Sequence, residues 1–347
     1  MPSESRGDSA SLRRVAIVAA VAGLGMLAWY IVDVLLLVFG AVLIAVLLCA
    51  LADPIARRTP LSDTWALIPA TLGILLVIGL AAWLLGAEMR AQISELADRL
   101  PDAWRSFEER LGATDLGERI VSRAQDAAPV AGSVVSGLAG VVTSFVGGLA
   151  DFLLIVFGGL YLAAQPGLYR GGILLLFPAG GSRERVAGTL DASGEALRLW
   201  LLGQLVSMMF LFVLSGVGLW AIGVPAALAL ALLAGLAQFV PLLGPVLAAV
   251  PALLIALSEG WQMALWTLLL YVAIQQVESN VITPLVQRQA VSLPPAVTLF
   301  AVVAFGLLFG PLGILFATPL AVVATVAVKR LWVRDALGEP ADVPGEQ

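Results

Sequence analysis

Long apolar runs, separated by short polar stretches, dominate the pattern along this chain. At about 20 residues for each membrane-crossing helix, the uninterrupted runs are long enough to span a bilayer. They lie at residues 15–32, 34–52, 64–87, 134–164, 201–222 and 261–277. Together with two interrupted runs, they predict an all-α, polytopic transmembrane protein with about eight membrane-embedded elements. Residues 15–87 would form the first three transmembrane helices, and residues 134–335 the transmembrane transport core.

Two polar stretches between these runs show helical periodicity. In residues 88–133, apolar side chains recur every three or four positions, which predicts an amphipathic helix, and Pro101 would kink it. We expect a small helical extracytoplasmic insert that either caps the bundle or contacts another subunit. Residues 182–200 show the same spacing beside arginines, which predicts a cytoplasmic interfacial helix that leads into the next span.

Two apolar runs, residues 226–257 and 296–328, are interrupted by proline and glycine. Proline removes a backbone donor, and at membrane depth the freed carbonyl needs a partner in protein or trapped water. Paired interruptions of this kind point to the binding site of a transporter. We therefore predict two broken hairpins that shape a site, with two kinked spans as the alternative. The interrupting residues are Pro241, Gly244, Pro245, Gly310, Pro311 and Gly313.

Basic residues set the predicted orientation. Arg13 and Arg14, Arg57 and Arg58, and Lys329 lie at the ends of apolar runs, and the positive-inside rule makes those ends cytoplasmic. Both polar termini, residues 1–14 and 336–347, would then be cytoplasmic. Counting spans from there places both ends of the first broken run outside and both ends of the second inside. The two hairpins would therefore enter the membrane from opposite faces.

Composition narrows the functional classes. Hydrophobic residues make up 60% of the chain and charged residues 12%, against about 25% charged residues in an average soluble domain. The chain has no histidine, and Cys49 is its only cysteine. This excludes histidine-based catalysis, histidine metal ligation and an intrachain disulfide. We expect no enzymatic activity, no cofactor, no metal site and no nucleic-acid partner, but contacts with membrane lipid.

Polar residues gather at the end of one apolar span, between Tyr271 and Pro295. Glu278 is the first candidate for a carboxylate that exchanges a proton for a substrate or cation, with amide groups nearby to hydrogen-bond a polar substrate. As an alternative, Glu278 is an interfacial residue that pairs with Arg288. Asp151 is a second acid within an apolar run, or else lies at the outer headgroup level. The candidate residues of the substrate or ion path are Glu278, Asn280, Gln275, Gln238 and Asp151.

Three motifs in the C-terminal half resemble the autoinducer-2 exporter family, the PerM-like bacterial permeases. The first is the run Leu201 to Leu257, with Gly203-Gln204, Gly223-Val224-Pro225 and Phe239 to Pro245. The others are the block Gln275 to Pro295, with Leu293-Pro294-Pro295, and the stretch Gly306 to Pro319. The resemblance implies about eight embedded elements, residence in the bacterial inner membrane, homo-oligomers and export of a small molecule. Two positions depart from the family pattern: Gln165 stands where relatives usually place an acid, and Pro294 where many have histidine.

These observations lead to three functional hypotheses. The first is a secondary transporter that exports a small polar metabolite or a signal such as autoinducer-2, with proton coupling as one mechanism. The second is a monovalent cation antiporter that exchanges sodium or lithium for protons. The third is a membrane scaffold that transports nothing, for which replacing Glu278 by glutamine would have no effect.

Overall fold

A computed structural model gives the fold of the chain. It describes residues 31–62, 64–80, 83, 149–241, 243–282, 284 and 293–345. Across these residues the regular structure is helical and contains no strand, which confirms the predicted all-α class. The predicted insert at 88–133, the terminal segment 1–14, nearly all of the first predicted helix and Arg288 lie outside the described residues.

The described residues form a series of helices. In chain order they are α1 Val32–Arg58, α2 Thr64–Leu80, α3 Leu149–Ala164, α4 Pro166–Leu175, α5 Gly181–Ile222, α6 Ala227–Ala237, α7 Leu243–Glu259, α8 Trp261–Val277 and α9 Pro295–Ala327. π-helical turns extend α8 over Glu278–Ile282 and α9 over Val328–Arg334. The bounds of α8 are those predicted from the apolar run, and α5 ends at the predicted residue.

Several helices are long and apolar enough to cross a membrane. By length and composition these are α1, α5 and, if counted as one helix across its break at Gly310, the stretch Pro295–Arg334. The helices α3 and α4, which meet at an 87° bend, are a fourth if they count as one broken span. The helices α2, α6 and α7 are apolar but shorter. The chain is therefore a helical membrane protein, while the predicted number of eight embedded elements stays a prediction.

The N-terminal helices pack through small residues. A Cβ atom on Gly159 of α3 would lie 2.7 Å from the Cβ of Ile44 in α1, and one on Gly158 would lie 3.1 Å from the Cβ of Ala41. Small residues let helix backbones approach closely in a membrane, where apolar burial alone gives no preference for protein over lipid. This contact fixes α3 against α1, and α2 joins the same apolar cluster.

The helix α5 has 42 residues and is about 63 Å long at 1.5 Å per residue, twice the thickness of the hydrocarbon core. The predicted interfacial segment 182–200 and the predicted span 201–222 are thus one continuous helix. In its first half, Ala192, Ala196 and Trp200 are buried in a cluster that includes Val343 of the C-terminal tail. Gly223, in the left-handed conformation with φ 84°, ends the helix.

The first interrupted run folds back on itself between α6 and α7. A Cβ atom on Gly244 would lie 2.7 Å from the carbonyl carbon of Ala237, although seven residues of continuous helix would separate them by about 10 Å. Only glycine fits at such an approach of two backbone segments. The interruption is therefore a chain reversal, as predicted for a hairpin.

The second interrupted run reverses within α9. Gly310 has φ 64° and ψ −147°, a non-helical conformation. A Cβ atom on Gly313 would lie 2.8 Å from the carbonyl carbon of Phe305, and one on Gly306 would lie 2.8 Å from Cγ1 of Ile314. Pairs eight residues apart meet in this way only if the chain turns back near Gly310. This run also forms a hairpin, of arms 295–309 and 311–327.

Candidate functional site

A buried chain of polar side chains joins α5, the end of α6 and the end of α8. The Nε2 atom of Gln204 donates a hydrogen bond to the backbone oxygen of Gln238. The Nε2 atom of Gln238 in turn donates to Oε1 of Glu278. The three residues are 8%, 3% and 8% exposed. The structure thus brings together Gln238 and Glu278, two candidates that lie 40 positions apart in the sequence.

The break between α6 and α7 explains why a side chain is needed here. The last carbonyls of a helix have no partner within it, and Pro241, which has no N–H to offer the carbonyl of Ala237, ends the α6 ladder before the carbonyl of Gln238 can be paired within it. Gln238 is the C-cap residue of α6, and the Gln204 amide satisfies its carbonyl. Phe239 adds an apolar contact, with its ring centroid 5.7 Å from that of Trp200 in α5.

Glu278 lies on the buried face of the third helix. Tyr271, Ile274 and Glu278 are buried and recur at the three- and four-residue spacing of one helical face. Glu278 is also the first residue of the π-helical turn, a local widening that is frequent at functional sites. The turn therefore presents the carboxylate to the protein interior at the point where α8 stops being regular.

In this buried chain of polar side chains, two oxygen atoms have no hydrogen-bond donor in the part of the protein that the structure describes. Oε2 of Glu278 and Oε1 of Gln238 are buried and have no hydrogen-bond partner within 3.5 Å among the described residues, and the exposed side chain of Gln275 lies near the same carboxyl group. The described part of the chain also shows no basic side chain in a salt bridge with Glu278; the arginines Arg170 and Arg198 pair with Asp191, Asp53 and Glu195. A buried carboxylate that lacks a cation is costly to keep ionised. A proton or a ligand with a donor group would satisfy both oxygens.

Comparison with known proteins places this chain in a family. Residues 17–332 match the model of the AI-2E family transporters. The chain belongs to this family. The resemblance found in the three C-terminal motifs is thereby confirmed.

The relatives with assigned names are transport proteins or candidates for that role. YrrI of Bacillus subtilis (strain 168), named as a candidate transport protein, is 31% identical over 144 residues, which cover 42% of this chain and 41% of YrrI. YueF of the same organism, named in the same way, is 25% identical over 81% of this chain and 80% of its own length. TqsA of Escherichia coli (strain K12), named an AI-2 transport protein, is 28% identical over 34% of this chain and 36% of TqsA.

The other candidate residues of this AI-2E family member lie around the site or away from it. Gln275 is exposed, beside the Glu278 carboxyl group, and its amide donates a long hydrogen bond of 3.4 Å to Oγ of Ser279. Asn280 is also exposed and donates to the backbone oxygen of Gln276 at 2.8 Å. Asp151 is exposed in the first turn of α3, which packs mainly against α1. Asp151 is therefore not part of the buried polar chain.

The predicted hairpin breaks divide between the site and a neighbouring apolar cluster. Pro241, Gly244 and Pro245 adjoin Gln238 and form the turn that carries it. Gly310, Pro311 and Gly313 form the other turn, whose neighbours Phe309 and Leu312 pack against the cluster around Trp200. The same cluster borders Phe239 of the first turn. No group of three or more metal-ligating side chains occurs among the residues that the structure describes.

One residue of the site was not predicted as a site residue. Gln204 is a single amide within the apolar run that forms the second half of α5. Its acceptor is a backbone carbonyl, so no residue type in the sequence identifies the pairing. Two signals point to it: Gly203-Gln204 belongs to the first of the family motifs, and the cost of an amide in lipid makes any glutamine inside a span a candidate for an internal contact.

Proposed function

We propose that this membrane protein is a secondary transporter that exports a small polar metabolite or signal across the bacterial inner membrane, coupled to protons through Glu278. Both termini would be cytoplasmic, and the protein would act as a homo-oligomer without enzymatic activity. Because the relative TqsA is named an AI-2 transport protein, autoinducer-2 is the first solute to test. The observation that supports the proposal is the buried Glu278 carboxyl group, held by Gln238 through one oxygen and free at the other.

This geometry allows a proton and a solute to compete for one place. With a proton on Oε2, the carboxyl group is neutral and can itself donate a hydrogen bond, for which Oε1 of Gln238 is an acceptor close at hand. Without the proton, both free oxygens act only as acceptors and require donors from a solute or a cation. Release of a proton and binding of a solute hydroxyl would therefore be linked at the same two atoms.

Movement of the first hairpin would give a solute access to this site from either side of the membrane. The turn at Gln238 contacts α5 through the hydrogen bond from Gln204 and the Trp200–Phe239 pair, and α6 before it packs along α5, where a Cβ atom on Gly235 would lie 2.9 Å from Cβ of Phe212. Movement of the hairpin relative to α5 would break the polar chain and expose Glu278. In carriers built from broken helices, access alternates by movements of this kind around a fixed site.

Exchange of sodium or lithium for protons is the second hypothesis, since both free atoms are oxygens, the ligand that hard cations prefer. The third is a scaffold without transport. Asp151, the other acid considered for cation exchange, lies on another helix pair, so a two-carboxylate cation site has no support in the described geometry.

The test uses inside-out vesicles that contain a pH-sensitive dye and an imposed proton gradient. Autoinducer-2, sodium and lithium are added in turn to the wild type, to Glu278→Gln and to Glu259→Gln, which removes an exposed acid at the end of α7. We expect one solute to move protons in the wild type and the Glu259 variant, and at least about a tenfold loss in Glu278→Gln, equivalent to about 1.4 kcal/mol. Equal rates in all three proteins would contradict a role for Glu278 in coupling.

A further inference from the structure

Three hydroxyl groups of α5 and α8 are buried, away from Glu278. They belong to Ser215 of α5 and to Thr267 and Tyr271 of α8, which are 0%, 0% and 8% exposed. None of the three oxygens has a hydrogen-bond partner within 3.5 Å among the described residues, although the Ser215 and Tyr271 hydroxyls lie close enough to interact with each other. Buried polar groups are almost always hydrogen-bonded in proteins. These hydroxyls, which lack a closer partner, are therefore a candidate position for a ligand.

Other hydroxyls in this protein show what a helical serine or threonine does when it has no ligand. Thr71, Thr189 and Thr325 each donate to the carbonyl four residues earlier in their own helix, at 2.7 to 2.8 Å. This bond is the usual way to satisfy a hydroxyl inside a membrane helix. Ser215 and Thr267 do not make it, so their hydroxyl groups remain available to a molecule between the helices.

Helix geometry brings the three groups toward one place. Thr267 and Tyr271 are four residues apart and share a face of α8. Long helical side chains lean toward the helix N-terminus, which brings the Tyr271 hydroxyl toward the level of Thr267. Ser215 faces Tyr271 across the contact. The helices are close here, since a Cβ atom on Gly218 would lie 2.6 Å from Cδ2 of Leu270.

The chemistry of this group differs from that of the Glu278 site. A hydroxyl both donates and accepts hydrogen bonds and carries no charge. The nearest acid along α8 is Glu278, seven residues from Tyr271 and about 10 Å farther along the helix axis. A bare ion would find no opposite charge among these three side chains. A neutral group that donates and accepts, such as water or an alcohol, matches all three.

We propose that Ser215, Thr267 and Tyr271 form a second polar binding position between α5 and α8, which holds a neutral hydrogen-bonding group. The bound group would be a water molecule in the resting protein and a hydroxyl group of the solute during transport. The solute part rests on the proposed function, whereas the water part does not. The position would extend the route of a polar solute from Glu278 along the interior face of α8.

Cysteine accessibility tests this position directly, because the chain has a single native cysteine. In a Cys49→Ser background, Ser215→Cys and Thr267→Cys are compared with Leu211→Cys and Leu219→Cys, one turn to either side of Ser215 and equally buried, at 1% and 0% exposure. All four proteins, in lipid vesicles, react with a small water-soluble methanethiosulfonate reagent. A thiol reacts as the thiolate and needs access to water.

We expect Ser215→Cys and Thr267→Cys to react at least about tenfold faster than the two leucine-site cysteines, because only the former would contact water. Equal and slow reaction at all four positions would show a dry contact and overturn the proposal. Equal and fast reaction would also overturn it, because access would then not be specific to the hydroxyl positions. Unchanged thermal unfolding of the Ser215 and Thr267 variants verifies that they fold.

Addition of the solute identified in the transport assay distinguishes bound water from bound solute. Slower labelling at residues 215 and 267 with solute present would show that the solute reaches the position, while unchanged labelling would show that water alone occupies it. The outcomes for the two proposals stay distinct. Specific labelling without any transport would keep the water position and reject the function, whereas transport without labelling would keep the function and reject this position.

Discussion

The two broken hairpins share a backbone device but differ in their surroundings. In each, a glycine, Gly244 or Gly313, sits against backbone seven or eight residues earlier in the chain. The first turn contains Gln238, 3% exposed and hydrogen-bonded to two other helices. The second turn follows Leu307 and Leu308, which are 83% and 51% exposed. A broken helix thus supplies only a reversal of the chain, and polar partners on neighbouring helices turn a reversal into a candidate site.

Among variants that test the difference between the two hairpins, Gln238→Leu should change the free energy of unfolding most. It removes the donor to Glu278 and leaves a buried carboxylate with no partner, which costs about 2–5 kcal/mol when the group is ionised. We expect a loss of that size in the free energy of unfolding in lipid nanodiscs at pH 8. Leu308→Ala, at the exposed turn of the second hairpin, should cost much less.

A double-mutant cycle sharpens this first prediction. If the two side chains interact as described, the combined variant Gln238→Leu with Glu278→Gln should be more stable than the sum of the single effects allows, by at least about 0.5 kcal/mol. Strict additivity would mean that the hydrogen bond between them contributes nothing to folding.

A somewhat smaller effect, common to both hairpins, should follow from Gly244→Ala and Gly313→Ala. Each added Cβ would lie within 2.8 Å of backbone carbon atoms that cannot move independently, and overpacking of this kind costs about 1–3 kcal/mol. Thermal unfolding of the two variants would measure it. Gly171→Ala in α4, where no atom lies within 4 Å of the added Cβ, is the matched control and should be neutral or slightly stabilising. A neutral result at Gly313 would argue for a kinked span in place of the second hairpin.

The smallest effect concerns an aromatic pair at each hairpin. Phe239 contacts Trp200 of α5 at a centroid distance of 5.7 Å, whereas Phe305 and Phe309, 5.6 Å apart, belong to the same arm of α9. Phe239→Leu should cost about 0.5–1.5 kcal/mol and increase hydrogen exchange at backbone amides of α6. Phe305→Leu should leave exchange in α6 unchanged. The same exchange increase in both variants would show that the Trp200 contact does not hold the first turn.

Much of the fold follows from the sequence because lipid limits the backbone to a few solutions. Apolar runs predicted the bounds of α8 and the end of α5, and proline with glycine predicted both chain reversals. The same pattern predicted residues 182–200 as an interfacial helix that leads into the next span, since amphipathic periodicity shows which face is apolar. It does not show whether the helix axis continues unbroken into that span, as it does in α5. The buried faces of Ala192 and Ala196 contact α1, α9 and the C-terminal tail, and that packing is a tertiary property.

The candidate site was predicted in part, for a physical reason. Glu278 and Gln238 stood out because charged and amide groups are costly inside apolar runs, yet their contact depends on how α6 ends. Asp151 met the same criterion and lies exposed at a helix start. Ser215 and Thr267 gave no signal, because hydroxyls in membrane helices usually bond to their own backbone. Only the three-dimensional structure shows that they do not.

The continuity of α5 has a mechanical consequence. One unbroken helix joins the cluster of Ala192 and Trp200, which also holds the C-terminal tail, to Gln204 and Ser215 in the interior. Such a helix behaves as a lever: over a length of about 63 Å, a tilt of about 5° at one end displaces the other by about 5 Å. A small tilt of α5 at the end that contacts the C-terminal tail would therefore produce a larger displacement at its Ile222 end.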